Sequence, residues 1–209
     1  QTNQVYMAKS SDGGQTWMLK LVYQAPGTTN LQHVFPAIAV DRGSGLHVVF
    51  NDGVNSYLTS SGDGGATWTT PKRLNNSWNS KVSLEPWVVA GDYGKVNVFF
   101  YGTDDTKGFM DPNAQWTVFM AQTLNAFANV PLVTQAQAVP YIMHNGPICI
   151  NGTACASGTR NLLEYFYPDV YLDGNALAVY PDDLHVDPST TVTRAWFIRQ
   201  TGGSRVTGQ

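Results

Sequence analysis

Charge is scarce in this chain. Only 13% of its 209 residues are Asp, Glu, Lys or Arg, and the 12 basic and 15 acidic side chains nearly cancel, to −3 at pH 7. They are scattered, with no basic stripe to meet phosphates, so neither nucleic acid nor a membrane surface is expected as a partner. No apolar run approaches the length of a membrane span. The stretch after Gln1 has neither the basic start nor the apolar core of a signal peptide, which places any such leader upstream. Cysteine is nearly absent too. Cys149 and Cys155 stand alone, without the Cys or His neighbours of a zinc site, and five intervening residues can be bridged without strain. A disulfide is expected over two free thiols, and that implies a secreted or extracellular protein.

Turn formers and aromatics are abundant instead. Twenty glycines, eleven prolines and 12% aromatic residues suit a β-rich fold with many tight turns and large buried sheets. One eight-residue pattern occurs twice, as Ser10-Ser11-Asp12-Gly13-Gly14-Gln15-Thr16-Trp17 and as Ser61-Gly62-Asp63-Gly64-Gly65-Ala66-Thr67-Trp68. Each position has a physical task. Asp12 and Asp63 can accept backbone N–H groups within a turn, Gly14 and Gly65 permit positive φ, Thr16 and Thr67 open a strand, and Trp17 and Trp68 can bury a ring between sheets. The two tryptophans are 51 residues apart, the period of one propeller blade.

The pattern Ser-x-Asp-x-Gly-x-Thr-Trp resembles the Asp box of the sialidase-like (BNR repeat) propellers. The resemblance covers two complete boxes and two decayed ones, at Thr123-Asn125-Phe127 and at Thr201-Gly202-Gly203. It implies an all-β fold of four-stranded antiparallel propeller blades. Inner hairpins repeat in register with the boxes, beginning at Pro36, Pro86 and Pro168. The expected division is outer strands of a blade at 1–32, blades at 33–83 and 84–135, a long disulfide-containing loop at 136–164, and a last blade at 165–209. Three to four blades do not easily close a ring. The chain therefore reads either as the C-terminal half of a six- or seven-bladed propeller or as a natural half that pairs with another copy.

In a propeller, the loops entering the innermost strand and those joining the second strand to the third gather at one mouth, where sites tend to form. The second strands here end in Asn51-Asp52, Asp104-Asp105 and Asp182-Asp183. These carboxylates can serve as acid or base, as acceptors for sugar hydroxyls or as calcium ligands, or they can simply cap turns. Turn capping is the reading for Asp52. Asp104, Asp105, Asp182, Asp183, His144 and Trp78 are candidates for substrate binding, with Trp78 a stacking platform; Trp87 and Trp116 offer flat faces as well. The segment 102–116, with Asp111 and Lys107, is long enough to wrap a structural calcium ion, although no cofactor is expected to be required and the metal remains unassigned. Asn75-Asn76-Ser77 and Asn151-Gly152-Thr153 fit the glycosylation sequon.

Sialidases hold the substrate carboxylate with arginines and use a tyrosine nucleophile relayed by a glutamate, a neutral nucleophile being suited to an anionic sugar. On that resemblance the catalytic candidates are Glu164, Tyr165, Tyr167, Arg160 and Glu85. Arg194 and Arg199 flank an alternating strand and read as solvent-facing. The implied function is a secreted sialidase-like glycoside hydrolase, or its C-terminal half, acting on a glycan. The alternative is a non-catalytic propeller that binds glycans or proteins.

Overall fold

The computed structural model describes residues 3–31, 35–76, 78–160, 162, 165–185 and 193–208. Their regular secondary structure is all β-strand apart from a single 3-10 turn at Gly152–Ala154, with turns and loops between the strands. Among them no helix is long and apolar enough to cross a membrane.

The strands follow one another as antiparallel meanders, the connectivity of propeller blades. Blade A has two strands, β1 (Gln4–Lys9) and β2 (Met18–Gln24). Blade B has four, in the order β3 (Ala37–Val40), β4 (Leu46–Asn51), β5 (Ser56–Ser61) and β6 (Lys72–Arg73). Blade C runs β7 (Val82–Ala90), β8 (Val96–Thr103), β9 (Gln115–Thr123) and β10 (Thr134–Gln137), and β11 (His144–Asn145) adds to β9 nearer the mouth. Blade D has β12 (Tyr167–Val170), β13 (Ala176–Asp182) and β14 (Arg194–Arg199).

Strand alternation divides each sheet between its neighbours. Val48 and Phe50 turn toward blade A, where they pack with Val5 and Val22. Val49, between them in sequence, turns the other way and packs with Val88, Val98 and Phe100 of blade C. The side-chain period of two produces this split. Between blades C and D lies the largest cluster, with Phe99, Tyr101, Trp116, Phe166, Ala178 and Tyr180 among its members.

The two Ser-x-Asp-x-Gly-x-Thr-Trp turns are built as their residue types dictate. In blade B, Ser61 Oγ donates to Asp63 Oδ1 at 2.7 Å, the Thr67 amide donates to the same oxygen at 2.9 Å, and Thr67 Oγ1 donates to Asp63 Oδ2. Blade A repeats these bonds with Ser10, Asp12 and Thr16. The decayed box keeps the same frame: Thr123 Oγ1 donates to Asn125 Oδ1 at 3.0 Å. Phe127, standing where a glycine would, packs instead on Tyr93 and on His47.

Burial of both Asp-box tryptophans was the expectation, and only one follows it. Trp68 is partly buried against the cluster shared with blade A, whereas Trp17 is 64% exposed. The boxes are equivalent but their surroundings differ, because blade A covers Trp68 and no described blade precedes blade A.

Beneath the inner turns, Asp41 Oδ1 accepts the amides of Gly43 and Gly45 and Oδ2 accepts that of Gly94, tying the inner turn of blade B to that of blade C. His47 Nε2–H donates to Asp41 Oδ2 at 2.9 Å, and Ser60 Oγ lies 2.8 Å from Nδ1. All three residues are buried. The arrangement has the order of a Ser-His-Asp triad but is sealed from solvent, and its work is to satisfy buried polar groups at a blade junction.

Candidate functional site

The innermost strand of blade C breaks its pairing at one place. Register between β7 and β8 shifts between Leu84 and Trp87, and Glu85 within that bulge has φ of 52°. Positive φ is uncommon for a side chain other than glycine, and bulges and such strained residues concentrate at functional sites. The sequence accounts for part of the break, since Pro86 lacks a backbone N–H for the ladder. Glu85 is 4% exposed. Its charge acts on the phenol of Tyr101, which is wholly buried and finds no hydrogen-bond partner among the described residues. Burial pushes that phenol well above its ordinary range, and Glu85 adds to the effect.

Toward the rim of the same interblade space, the end of β13 supplies Asp182 and the loop after it Asp183. Asp182 is buried; its Oδ1 accepts the amides of Leu184 and His185, both at 2.9 Å, and its Oδ2 accepts His185 Nδ1–H at 2.8 Å. Asp183 accepts Nδ1–H of His144, at 3.0 and 2.9 Å to its two oxygens. His144 reaches it from β11, which is held against Trp116 of β9. The ring of Tyr141 packs on His185 with centroids 4.4 Å apart, and its hydroxyl meets that of Tyr180 at 2.7 Å. Tyr180 is raised above its ordinary pKa by burial first, then by Tyr141 and by the charge of Asp182. Two imidazole–carboxylate pairs and two phenols thus form one continuous set at the mouth between blades C and D. Tyr101 and Tyr180 belong to one buried cluster, so this set and Glu85 share a wall.

The remaining candidates are distributed more widely. Tyr165 and Tyr167 are exposed at the entry to β12, and Tyr167 approaches Trp87 at 6.1 Å between centroids. Arg160 is half-buried in the long loop. Glu164 lies outside the described residues, as does Ser77 of the first sequon. Trp78 is 85% exposed, held out by a turn in which Asn76 Oδ1 accepts the Trp78 and Asn79 amides. That turn is tied to Gln135 on the outermost strand of blade C, on the blade B side, through the Asn76 amide and Ser80 Oγ. Trp78 therefore does not join the Asp182–His144 set.

Trp116 is wholly buried, its indole N–H donating to the Gly146 carbonyl at 2.9 Å, so it cannot serve as a platform. Trp87 packs partly against the interblade core. Asp52 caps its turn by accepting the Val54 and Asn55 amides. In the 102–116 segment Asp105 accepts the Lys107 amide, while Asp111 accepts the Asn113 amide and pairs with Lys107 at 3.4 Å. Among the described residues no three of His, Cys, Asp and Glu gather as a metal cage. Asn75 is buried and fully engaged, so the first sequon does not present its amide, whereas Asn151 is exposed.

The disulfide forms, with the cysteine Cα atoms 5.9 Å apart. It closes a lip beside the set just described: the Cys149 amide donates to the Thr159 carbonyl and the Ile148 amide to the Phe109 carbonyl. Sequence reasoning passed over His185 and Tyr141. His185 sits three residues after Asp182, a spacing at which a turn can return an imidazole to a carboxylate; Tyr141 carries no comparable local signal.

Among solved structures the chain is similar to an alpha-L-arabinofuranosidase from Podospora anserina in complex with cellotriose, at 17% sequence identity and a TM-score of 0.42. The match covers 94% of this chain and 58% of that one, so the chain spans less than two thirds of that protein's length. No family model matches the chain, and no curated protein does.

Proposed function

We propose that this propeller acts on glycans at the mouth between blades C and D, as a glycoside hydrolase of the sialidase-like kind. The observation that carries the proposal is Glu85, a buried carboxylate in a strained bulge of the innermost strand, next to an unpartnered phenol. Glycoside hydrolysis needs a carboxyl group held in a protected place to exchange a proton with the leaving oxygen, and a second group on the opposite side of the sugar. Glu85 supplies the first, and the Asp182–Asp183 rim supplies candidates for the second. His185, aimed by Asp182 and partly exposed, can meet sugar hydroxyls, whereas His144 is buried between Asp183 and the Pro147 carbonyl and holds Asp183 in place. Tyr165 and Tyr167 are exposed and available as nucleophile or stacking surface, with Arg160 in the adjoining loop as a reader of a sugar carboxylate.

One observation favours a binding propeller without turnover. Tyr101 and Tyr180, the phenols on which Glu85 and Asp182 act, are held protonated by burial, which suits hydrogen bonding better than attack.

The test is turnover of a panel of fluorogenic glycosides, a sialoside together with neutral pyranosides and furanosides. Glu85→Gln should lower turnover by about 100-fold or more, the share that general acid–base catalysis supplies. Glu85→Gly relieves the positive φ, and should keep the fold while abolishing turnover. Equal rates in the parent and both variants would remove Glu85 from the chemistry. Saturable binding on a glycan array with no turnover would establish the binding reading.

A further inference from the structure

Trp78 stands on the turn between β6 and β7, where the chain passes from blade B to blade C. Blade B holds one end of that turn: the Leu74 amide donates to the Ser56 carbonyl at 2.9 Å, and Asn75 Oδ1 accepts the Ser56 amide at 3.1 Å. Asn75 Nδ2 donates across the turn to the Ser80 carbonyl at 2.9 Å. Blade C holds the other side through Gln135, whose Oε1 accepts from the Asn76 amide and from Ser80 Oγ, and whose Nε2 donates to Asn79 Oδ1 at 3.3 Å. At the tip, Asn76 Oδ1 accepts the Trp78 and Asn79 amides. Both flanking blades have all four strands, so the exposure of this ring does not come from where the sequence begins or ends.

Such bonding fixes the backbone and leaves the side chain outside it. The indole is 85% exposed, and among the described residues it packs on no aromatic ring and finds no acceptor for its N–H. The other tryptophans of blades B and C are used internally: Trp116 is buried with its N–H on Gly146, and Trp68 and Trp87 pack against clusters between blades. A large ring held out in water gains nothing for the fold, whereas a backbone already fixed lowers the entropy lost on meeting a ligand. The surroundings say which ligand. A flat aromatic face can take the C–H face of a sugar ring, and the indole N–H adds a donor. Asn76 and Asn79 are exposed beside it, and their Nδ2 groups, which donate to no described residue, suit sugar hydroxyls. No ionised side chain takes part in the bonds of the turn, so nothing there selects a sugar carboxylate.

We infer that Trp78, with Asn76 and Asn79, is a second glycan-binding site, apart from the mouth, for a neutral polysaccharide. Trp78 precedes Glu85 by seven residues, a stretch that spans at most about 25 Å even when fully extended. A polymer lying on Trp78 can therefore offer a further stretch to the mouth, whereas a single sugar cannot occupy both. That consequence alone rests on the glycan reading of the mouth; the site on the turn stands without it.

Affinity electrophoresis tests the site, with the 209-residue chain, Trp78→Ala and Trp78→Phe run through native gels that contain xylan, arabinan, glucan or polysialic acid. At least one neutral polysaccharide should retard the parent. Trp78→Ala should raise the dissociation constant by about tenfold or more, as loss of an aromatic anchor does, and Trp78→Phe, which keeps a flat face, by less. Thermal melting should place all three at one midpoint, the position being exposed. Turnover of small fluorogenic glycosides should be the same in Trp78→Ala and the parent; its absence from both would count against the mouth and leave the retardation result to decide this site. Retardation of Trp78→Ala equal to that of the parent, no retardation of the parent by a neutral polysaccharide, or retardation by polysialic acid alone would overturn the inference. So would a fall in small-glycoside turnover as large as the loss of polymer binding, which would make Trp78 part of the mouth. Self-association that Trp78→Ala abolishes while retardation is unchanged would assign the ring to a protein contact instead.

Discussion

The carbonyl of Val206 lies against the α-carbon of Gly91, where a β-carbon would stand 2.1 Å from the oxygen. The approach is possible only without a side chain, and it lets the Asp92 amide donate to that carbonyl at 2.7 Å. The Val206 amide in turn donates to Gly174 of blade D, so a short C-terminal segment joins blades C and D beneath the candidate site. Gly91→Ala must move backbone rather than a flexible side chain, and should cost about 1–3 kcal/mol, the usual range for overpacking. Urea denaturation measures it; an unchanged midpoint would show that the segment does not bear on the junction.

The buried Asp41–His47–Ser60 chain predicts a pH dependence. Burial lowers the His47 pKa from its ordinary 6.5, with Asp41 opposing. The unfolded chain therefore binds the proton more readily, and the contribution of neutral His47 is present above pH 6.5 and lost as pH falls below it. Burial pushes Asp41 up, but the Gly94 amide, His47 and the Gly45 amide outweigh it and hold its pKa below the ordinary 3.8, so the Asp41 contribution fails only at more acid pH. Stability should decline from neutrality toward pH 5, and His47→Gln should flatten that slope while lowering stability at neutral pH. A parent slope that survives in His47→Gln would assign the effect to another group.

What the sequence made legible was local. The two Ser-x-Asp-x-Gly-x-Thr-Trp turns and the inner hairpins depend on turn chemistry within a few residues, and their hydrogen bonds form where the sequence repeat lies. Even the decayed box retains its Thr123–Asn125 bond. Relations between blades were not legible in the same way. His144 and Asp183 are 39 residues apart, and nothing near either one announces the other. The exposure of Trp17 depends on which neighbour is present, not on its own motif. The bulge at Glu85 left a trace in Pro86, but strain appears only in the backbone angle. Trp116 offered a flat face for stacking on sequence alone, whereas the apolar cluster between blades C and D encloses its ring.

The two Asp boxes should differ in stability although their internal bonds match. In both, the hydrogen bond from the Thr hydroxyl, followed by that from the Thr amide, lowers the aspartate pKa from 3.8. Box stability should therefore be lost as pH falls below 3.8. Asp63→Ala should lower the melting temperature more than Asp12→Ala, because the box of blade B seats Trp68 against blade A while Trp17 is exposed. Equal shifts would show that the boxes act only within their own hairpins.

Removing the Cys149–Cys155 bridge should loosen the lip of the mouth without unfolding the blades. A loop this short contributes about 2 kcal/mol in the chain-entropy account. Reduction, or replacement of both cysteines by serine, should weaken glycan binding while the main thermal transition moves little. Collapse of the whole transition would mean that the lip supports the sheets.

The most direct measurement is a crystal structure of the chain soaked with the glycan that the turnover panel or the array selects. The account predicts density between blades C and D, within hydrogen-bonding reach of Glu85 or of the Asp183–His144 and Asp182–His185 pairs. Density confined to Trp78 on the outer rim, or to the face that carries the Asp boxes, would contradict it.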